Sequence, residues 1–229
     1  IPEESVREPE TAERAGRESF ITELKQGLSY AANNHFALTI IIMNVIWATG
    51  GGAINIVFER MGGVFFVEKE GWNPDVAVAL LWTASGFGLF LGMIIARRTA
   101  IYLDRKDRTR SFIGWTLLFA VAGFVGSLWL FMFFAFISRM IIGVEYAVQE
   151  TLFQRSLPDY IRGRISTLER GAELTMFGLS SWAASLLIYG VSAQVLTVFS
   201  GILAGSAGIV WFIREKKSGV ESLESDSRP

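Results

Sequence analysis

The chain has 229 residues, 51% of them hydrophobic, with 18 Phe, 7 Trp and a formal net charge of -1 at pH 7. Cysteine is absent, which excludes disulfides, thiolate catalysis and thiolate metal sites. The charge is unevenly spread: residues 1–35 and 214–229 hold many of the ionised groups, and the middle is far more apolar than the mean. A membrane-spanning helix needs about 20 apolar residues, and several such stretches follow one another here. The composition therefore predicts an all-α, polytopic membrane protein with no affinity for nucleic acid.

The chain opens with Ile-Pro-Glu-Glu, with neither methionine nor signal peptide, and reads as a fragment or one half of something longer. Residues 1–35 form a cytoplasmic linker. Within it "ESFITELKQGLSYAAN" (residues 18–33) sets Phe20, Leu24 and Leu28, with Ile21 beside them, along one helical face. That pattern suits an amphipathic helix on the membrane surface, or an ordinary helical linker. The six-span domain covers residues 36–213, with crossings at about 36–58, 74–96, 111–126, 127–154, 166–189 and 193–213. Residues 214–229 are a cytoplasmic tail, expected to be disordered from residue 215 on.

The run from Phe112 to Val144 is the one ambiguous stretch, because a single helix continuing to Gln154 would be about 60 Å long, twice the hydrocarbon thickness. A break near Gly126-Ser127 divides it into two crossings. Loop charge supports that division. Six spans with both ends cytoplasmic place 17 Lys and Arg inside against two, Arg60 and Lys69, outside. Arg139 and Arg170 lie within spans, and a five-span arrangement would carry seven of the inside charges across.

Within the first span Asn44, Gly51 and Asn55 recur at i, i+7 and i+11, with Trp47 alongside. "TGGGAIN" in the same span predicts a kinked or broken helix at Gly50–Gly52, since each glycine costs about 1 kcal/mol in a helix interior. Pro74-Asp75 opens the second span, with Asp75 as its expected cap. Gly86, Gly88 and Gly92 there, and Gly201, Gly205 and Gly208 in the sixth span, have the small-residue spacing that lets helices approach closely.

The fourth span, "FISRMIIGVEYAVQETLF", carries ionisable groups where each is expensive. At about 100° per residue its polar side chains fall in one half of the helix. Arg139, Tyr146 and Glu150 lie close together there, and Ser138, Glu145 and Gln149 lie about a quarter-turn away. Such a helix turns one side to a protein interior or cavity. In the fifth span Glu169, Glu173 and Ser180 share a stripe, with Arg170 adjacent. Two readings stand for these groups. Arg139 either meets a solute or pairs with a carboxylate on a neighbouring helix. Glu150, Glu169 and Arg170 are either gate residues or solvated anchors at the interface. No HExxH, P-loop, GxSxG or metal-ligand cluster occurs, so neither an enzyme nor a metal or cofactor is implied.

Two loops carry a family resemblance. "LDRKDRTR" (residues 103–110) resembles the D-R-x-G-R-R signature of the major facilitator superfamily in its more degenerate second copy. Asp104, Arg105, Arg108 and Arg110 match, and Asp107 stands where glycine is usual. "QRSLPDYIRGRIST" (residues 154–167) is similar to the superfamily's P-(D/E)-x-x-R-G-R segment after helix ten, through Pro158, Asp159, Arg162, Gly163 and Arg164. Together with the span pattern these resemble the C-terminal six-helix half of a drug- or siderophore-exporter-like facilitator, over about residues 18–213.

The resemblance implies a secondary transporter half that moves a small solute by alternating access, an efflux protein of a bacterial inner membrane with both termini cytoplasmic. The first and fourth spans would line the cavity, with Asn44, Trp47, Asn55, Arg139, Glu145, Tyr146, Gln149 and Glu173 facing the solute. Asp104, Arg105, Arg108, Glu150, Arg162, Arg164, Glu169 and Arg170 would form a cytoplasmic gate. Glu145 or Glu173 would carry a proton if transport is proton-coupled. The partner would be a second six-helix unit: a missing N-terminal half, a split partner or a second copy. The alternative is a six-helix membrane partner or assembly subunit that transports nothing itself.

Overall fold

The computed structural model describes residue 22, residues 25–103 and residues 116–226. Most of these residues are helical, with no strand among them. Helix α1 covers residues 25–33, and α2 spans His35–Arg60. A π-helical turn at Met61–Phe65 joins α2 to α3 (Phe66–Glu70). Then come α4 (Pro74–Leu103), α5 (Leu118–Ala122), α6 (Leu128–Ser156), α7 (Asp159–Leu187) and α8 (Ala193–Asp226). Four helical stretches are long and apolar enough to cross a membrane: His35–Glu70, Pro74–Arg98, Leu128–Ser156 and Ala193–Val210. Much of their surface is apolar and exposed, as on α4 with Phe87, Phe90, Met93 and Ile94. An apolar surface of this extent marks a contact with lipid or another protein.

Local chemistry sets the helix ends. The Asn34 Oδ1 accepts from the backbone N–H groups of Phe36 (3.1 Å) and Ala37 (3.0 Å), satisfying two orphan donors of α2. Gly71 ends α3 in the left-handed conformation at φ 73°, which glycine adopts without a Cβ penalty. Asn73, rather than the expected Asp75, caps α4: its Oδ1 accepts from the Val76 N–H at 3.1 Å. Asp75 sits one step too far along, inside the first turn, where its charge still favours the helix dipole. The chain leaves helix after Ala122 and re-enters it at Leu128. There the Glu70 carboxylate accepts from both the Leu128 N–H (3.2 Å) and the Trp72 indole (2.7 Å).

Two apolar clusters at opposite ends show that the helices alternate in direction. At one end Trp72, Val125, Leu128, Ile188 and Val191 pack around a core of Phe58, Phe66, Phe119 and Phe131. Phe58, Phe119 and Phe131 lie mutually 5.8–6.1 Å apart by ring centroid, tying the short α5 to α2 and α6. At the other end Ala31, Phe36, Ile40, Phe153, Leu157 and Ile161 converge with Ala207 of α8. Helix α1 turns Ala31 into that core and leaves Leu28 half exposed. Phe20, Ile21 and Leu24, the rest of its expected apolar face, lie outside the described residues, as does the basic loop with Asp104, Arg105, Arg108 and Arg110.

Helix α2 runs unbroken through Gly50–Gly52, against the expected kink. These glycines are used for close approach. A Cβ on Gly50 would strike the α8 backbone at Ser200 and Ala204, and one on Gly52 would strike the Phe177 carbonyl of α7. Three serine hydroxyls close the same contacts by donating to α2 carbonyls: Ser200 to Gly50 (2.6 Å), Ser181 to Gly52 (2.7 Å) and Ser180 to Thr49. Contact across the interface outweighs the propensity cost of the three glycines. At its far end α8 continues to Asp226, where a disordered tail was expected. Good helix formers such as Glu215, Lys216, Lys217, Glu221 and Leu223 extend a helix that is already nucleated.

Candidate functional site

The polar faces of α2, α6 and α7 meet in the interior. Gln149 of α6 donates from Nε2 to the Asn44 Oδ1 of α2 at 2.7 Å, and the Asn44 Nδ2 donates to the Glu169 Oε1 of α7. One asparagine thus joins three helices, using its acceptor and its donor in different directions. Helix α7 brings Glu169 inward because Ile161, Ile165, Glu169 and Glu173 recur every four residues and form its buried stripe. Glu169 and Glu173 are 5% and 7% exposed, while Leu174, Leu179, Trp182 and Leu186 on the same helix are more than half exposed. From Glu169 onward the helix buries two carboxylates and exposes large apolar side chains.

Arg170 makes the second connection. It donates from an Nη to the Glu173 Oε2 at 2.6 Å, and its guanidinium carbon stands 5.2 Å from the centroid of the Tyr146 ring on α6. A planar cation over an aromatic face with a carboxylate beside it combines ion pairing with cation–π attraction. The Arg170 side chain remains 44% exposed, against 9% for that of Glu173.

Between these connections lies a cavity of about 20 Å³, room for about one water. Asn44 and Trp47 of α2 form one wall, Glu173 of α7 another, and Ile142, Glu145, Tyr146 and Gln149 of α6 the third. Six of the eight residues expected to face a solute therefore surround one space. Asn55 and Arg139 are half-buried and do not line it. Arg139 shares the Tyr146 side of α6 but lies seven residues, about 10 Å, along the helix axis from it.

The expected gate residues disperse. Glu150, Glu169 and Arg170 share an open groove of about 480 Å³ with Ser166 and Thr167, next to the cavity. Gln154 bridges Glu150 (2.7 Å) to the Ser166 hydroxyl (2.8 Å) across the α6–α7 turn. Arg162 instead pairs with Asp159 in its own first turn (2.6 Å) and donates to the Leu157 carbonyl (3.0 Å). Arg164 reaches the Gln26 Oε1 of α1 at 2.6 Å. Asp104, Arg105 and Arg108 lie outside the described residues. The Arg170–Tyr146 contact and the Asn44–Glu169 bond have no signal in the sequence, since each depends on the rotation of one helix against another. Among the described residues no group of three His, Cys, Asp or Glu side chains is placed to hold a metal. Compared with protein-family models, curated proteins and solved structures, the chain matches none.

Proposed function

We propose that this chain is one six-helix half of a secondary transporter of the major facilitator type, moving a small solute by alternating access. The observation that carries the proposal is the hydrogen bond between Gln149 and Asn44. It joins the two helices whose polar faces, read separately, are those expected to line a central cavity. Polar side chains inside apolar helices are expensive, and they commonly mark solute and ion pathways. In this reading α7 and the segment of residues 111–126 that contains α5 complete the six crossings. The basic loops then lie in the cytoplasm of a bacterial cell, and a second six-helix unit closes the other side of the cavity. Glu145 and Glu173 are the carboxylates available to carry a coupled proton.

The test is flux. The full-length protein, reconstituted into vesicles, is expected to move at least one member of a panel of labelled solutes saturably. Gln149→Ala and Glu173→Gln are expected to lower that flux at least tenfold while the protein stays monodisperse. If no solute moves, and the chain instead copurifies in fixed ratio with another membrane protein, the assembly-subunit reading replaces this one.

A further inference from the structure

Two polar side chains deep in the bundle stand without a mate. Arg139 of α6 and Asn55 of α2 are both half-buried, and neither lines the cavity or the groove. No hydrogen bond or ion pair joins either side chain to the described residues. The two also share a level. Asn55 lies 11 residues beyond Asn44 on α2, and Arg139 lies 10 residues back from Gln149 on α6. Asn44 and Gln149 are bonded and their helices run antiparallel, so both side chains stand about 15 Å from that bond, toward the aromatic end. From the Phe58–Phe131 contact at that end, Asn55 is three residues away and Arg139 eight. That offset is about 7 Å, the reach of an arginine side chain. Asn55 continues the stripe of Asn44 and Gly51, and Arg139 shares the side of Tyr146, so both stand on cavity-facing sides beyond the cavity's end.

Such a pair asks for an anion, and the described spans have none to offer. Glu59 is held by the Trp82 indole (3.3 Å), Glu169 by Asn44 and Glu173 by Arg170, while Glu145 lines the cavity. Lipid phosphates are out of range, because Arg139 lies 11 residues inside one end of its span and 17 inside the other, about 16 Å or more. We propose that Arg139 and Asn55 hold an aspartate or glutamate of the second six-helix unit, and that this contact sets the two units in register at mid-bilayer. A guanidinium takes a carboxylate through two parallel N–H···O bonds. The Asn55 amide can donate a third to the same group while its own oxygen accepts from the arginine. Charge at this depth is tolerated where it faces protein and is paired. The inference rests on the second unit, which the transporter and assembly-subunit readings both need, and gives the chemistry of its contact. It does not depend on transport.

The test is the melting temperature of the full-length protein with its second unit, purified in detergent. Arg139→Leu separates the outcomes by sign. Removing an unpaired buried charge leaves stability unchanged or raises it, whereas breaking a buried pair strands the carboxylate and lowers it. Arg139→Leu is expected to melt at least about 5 °C below wild type. Each Asp and Glu in the spans of the second unit is then neutralised, to Asn or Gln, in the Arg139→Leu background. One is expected to recover at least half of the loss, and to lower the melting temperature when introduced into wild type alone. Melting of Arg139→Leu at or above wild type overturns the inference. So does recovery by none of the second unit's acids, which would assign the anion to a solute or a lipid. A cross-link covers the case in which Arg139→Leu does not fold. Asn55→Cys, in a chain with no cysteine of its own, is expected to form a disulfide with a cysteine placed at the acid whose neutralisation destabilises wild type. Absence of that disulfide in the folded protein overturns the inference as well. Recovery without flux of any solute would overturn the transporter reading and leave this contact standing. Saturable flux without recovery would do the reverse.

Discussion

Gly92 of α4 and Gly143 of α6 face each other with no side chain between them. A Cβ built on Gly92 would stand 2.9 Å from the Gly143 Cα, and one on Gly143 would stand 3.0 Å from the Gly92 Cα. With Gly88, which abuts the Phe136 backbone, they let the two helices touch main chain to main chain. Gly92→Val or Gly143→Val is therefore expected to cost about 3 kcal/mol or more, since backbone must move. Gly86 has nothing within 4 Å of the same virtual atom. Gly86→Ala is expected to be neutral, or stabilising by up to about 1 kcal/mol through helix propensity. Thermal melts in detergent check the pair, and equal melting of Gly86→Ala and Gly92→Val would refute this packing.

The three serine hydroxyls that donate to α2 carbonyls make a second, graded prediction. Ser180→Ala, Ser181→Ala and Ser200→Ala should each cost about 0.6 kcal/mol, a typical value for a hydrogen bond between helices in a membrane. Gly50→Val should cost several times more, because it forces α8 away from α2. A triple serine variant as stable as wild type would show that glycine contact alone holds the junction.

Asn44 has to satisfy two neighbours at once. Asn44→Ala leaves the Gln149 amide and the Glu169 carboxylate each short of a partner, at an expected cost of about 1–3 kcal/mol for each group left buried. Glu169→Gln retains an oxygen that can accept from Asn44 and should cost much less. Melting temperatures of the two variants, measured side by side, test the asymmetry; a reversed order would mean that Asn44 is not the junction.

Sidedness is open to a direct check, because the chain has no cysteine of its own. Tyr160, at the start of α7, and Tyr189, just past its end, are 75% and 92% exposed, at opposite ends of the bundle. In intact cells a membrane-impermeant maleimide is expected to label Tyr189→Cys and to label Tyr160→Cys only after lysis. The opposite pattern would invert the charge-based orientation.

The helical class was legible because hydropathy over windows of about 20 residues is a strong signal. Cavity residues were legible one helix at a time: Asn44 and Gln149 each marked the polar side of their own helix. What one sequence could not supply was the rotation of each helix against its neighbours. That rotation turns Glu145 into the cavity wall, though it lies about a quarter-turn from Tyr146 on α6. It also brings Glu169, expected at an interfacial gate, under the Asn44 amide. The glycine triplet was misread for a related reason. Propensity describes an isolated helix, whereas Gly50 and Gly52 answer to Ser200 and Phe177, more than 100 residues away in sequence. Asp75 yielded the cap to Asn73 through a shift of two residues, within the usual uncertainty of helix ends.

The inverted polarity of α7 bears on how the protein is made. With Glu169 and Glu173 on its inner stripe, this helix is not among the four apolar enough to cross a bilayer by composition alone. A ribosome delivering it to a translocon would present a segment whose own partition into lipid is marginal, because each carboxylate opposes insertion by about 2.5–3.5 kcal/mol at mid-bilayer. The groups that accommodate those carboxylates, Asn44 for Glu169 and the Tyr146-stacked Arg170 for Glu173, complete their site only once α2 and α6 are in place. Both precede α7 in the chain, so vectorial synthesis supplies the template first. In the six-crossing reading, integration of α7 is a cooperative docking event, and a lesion at Asn44 should surface as defective biogenesis before it surfaces as lost activity.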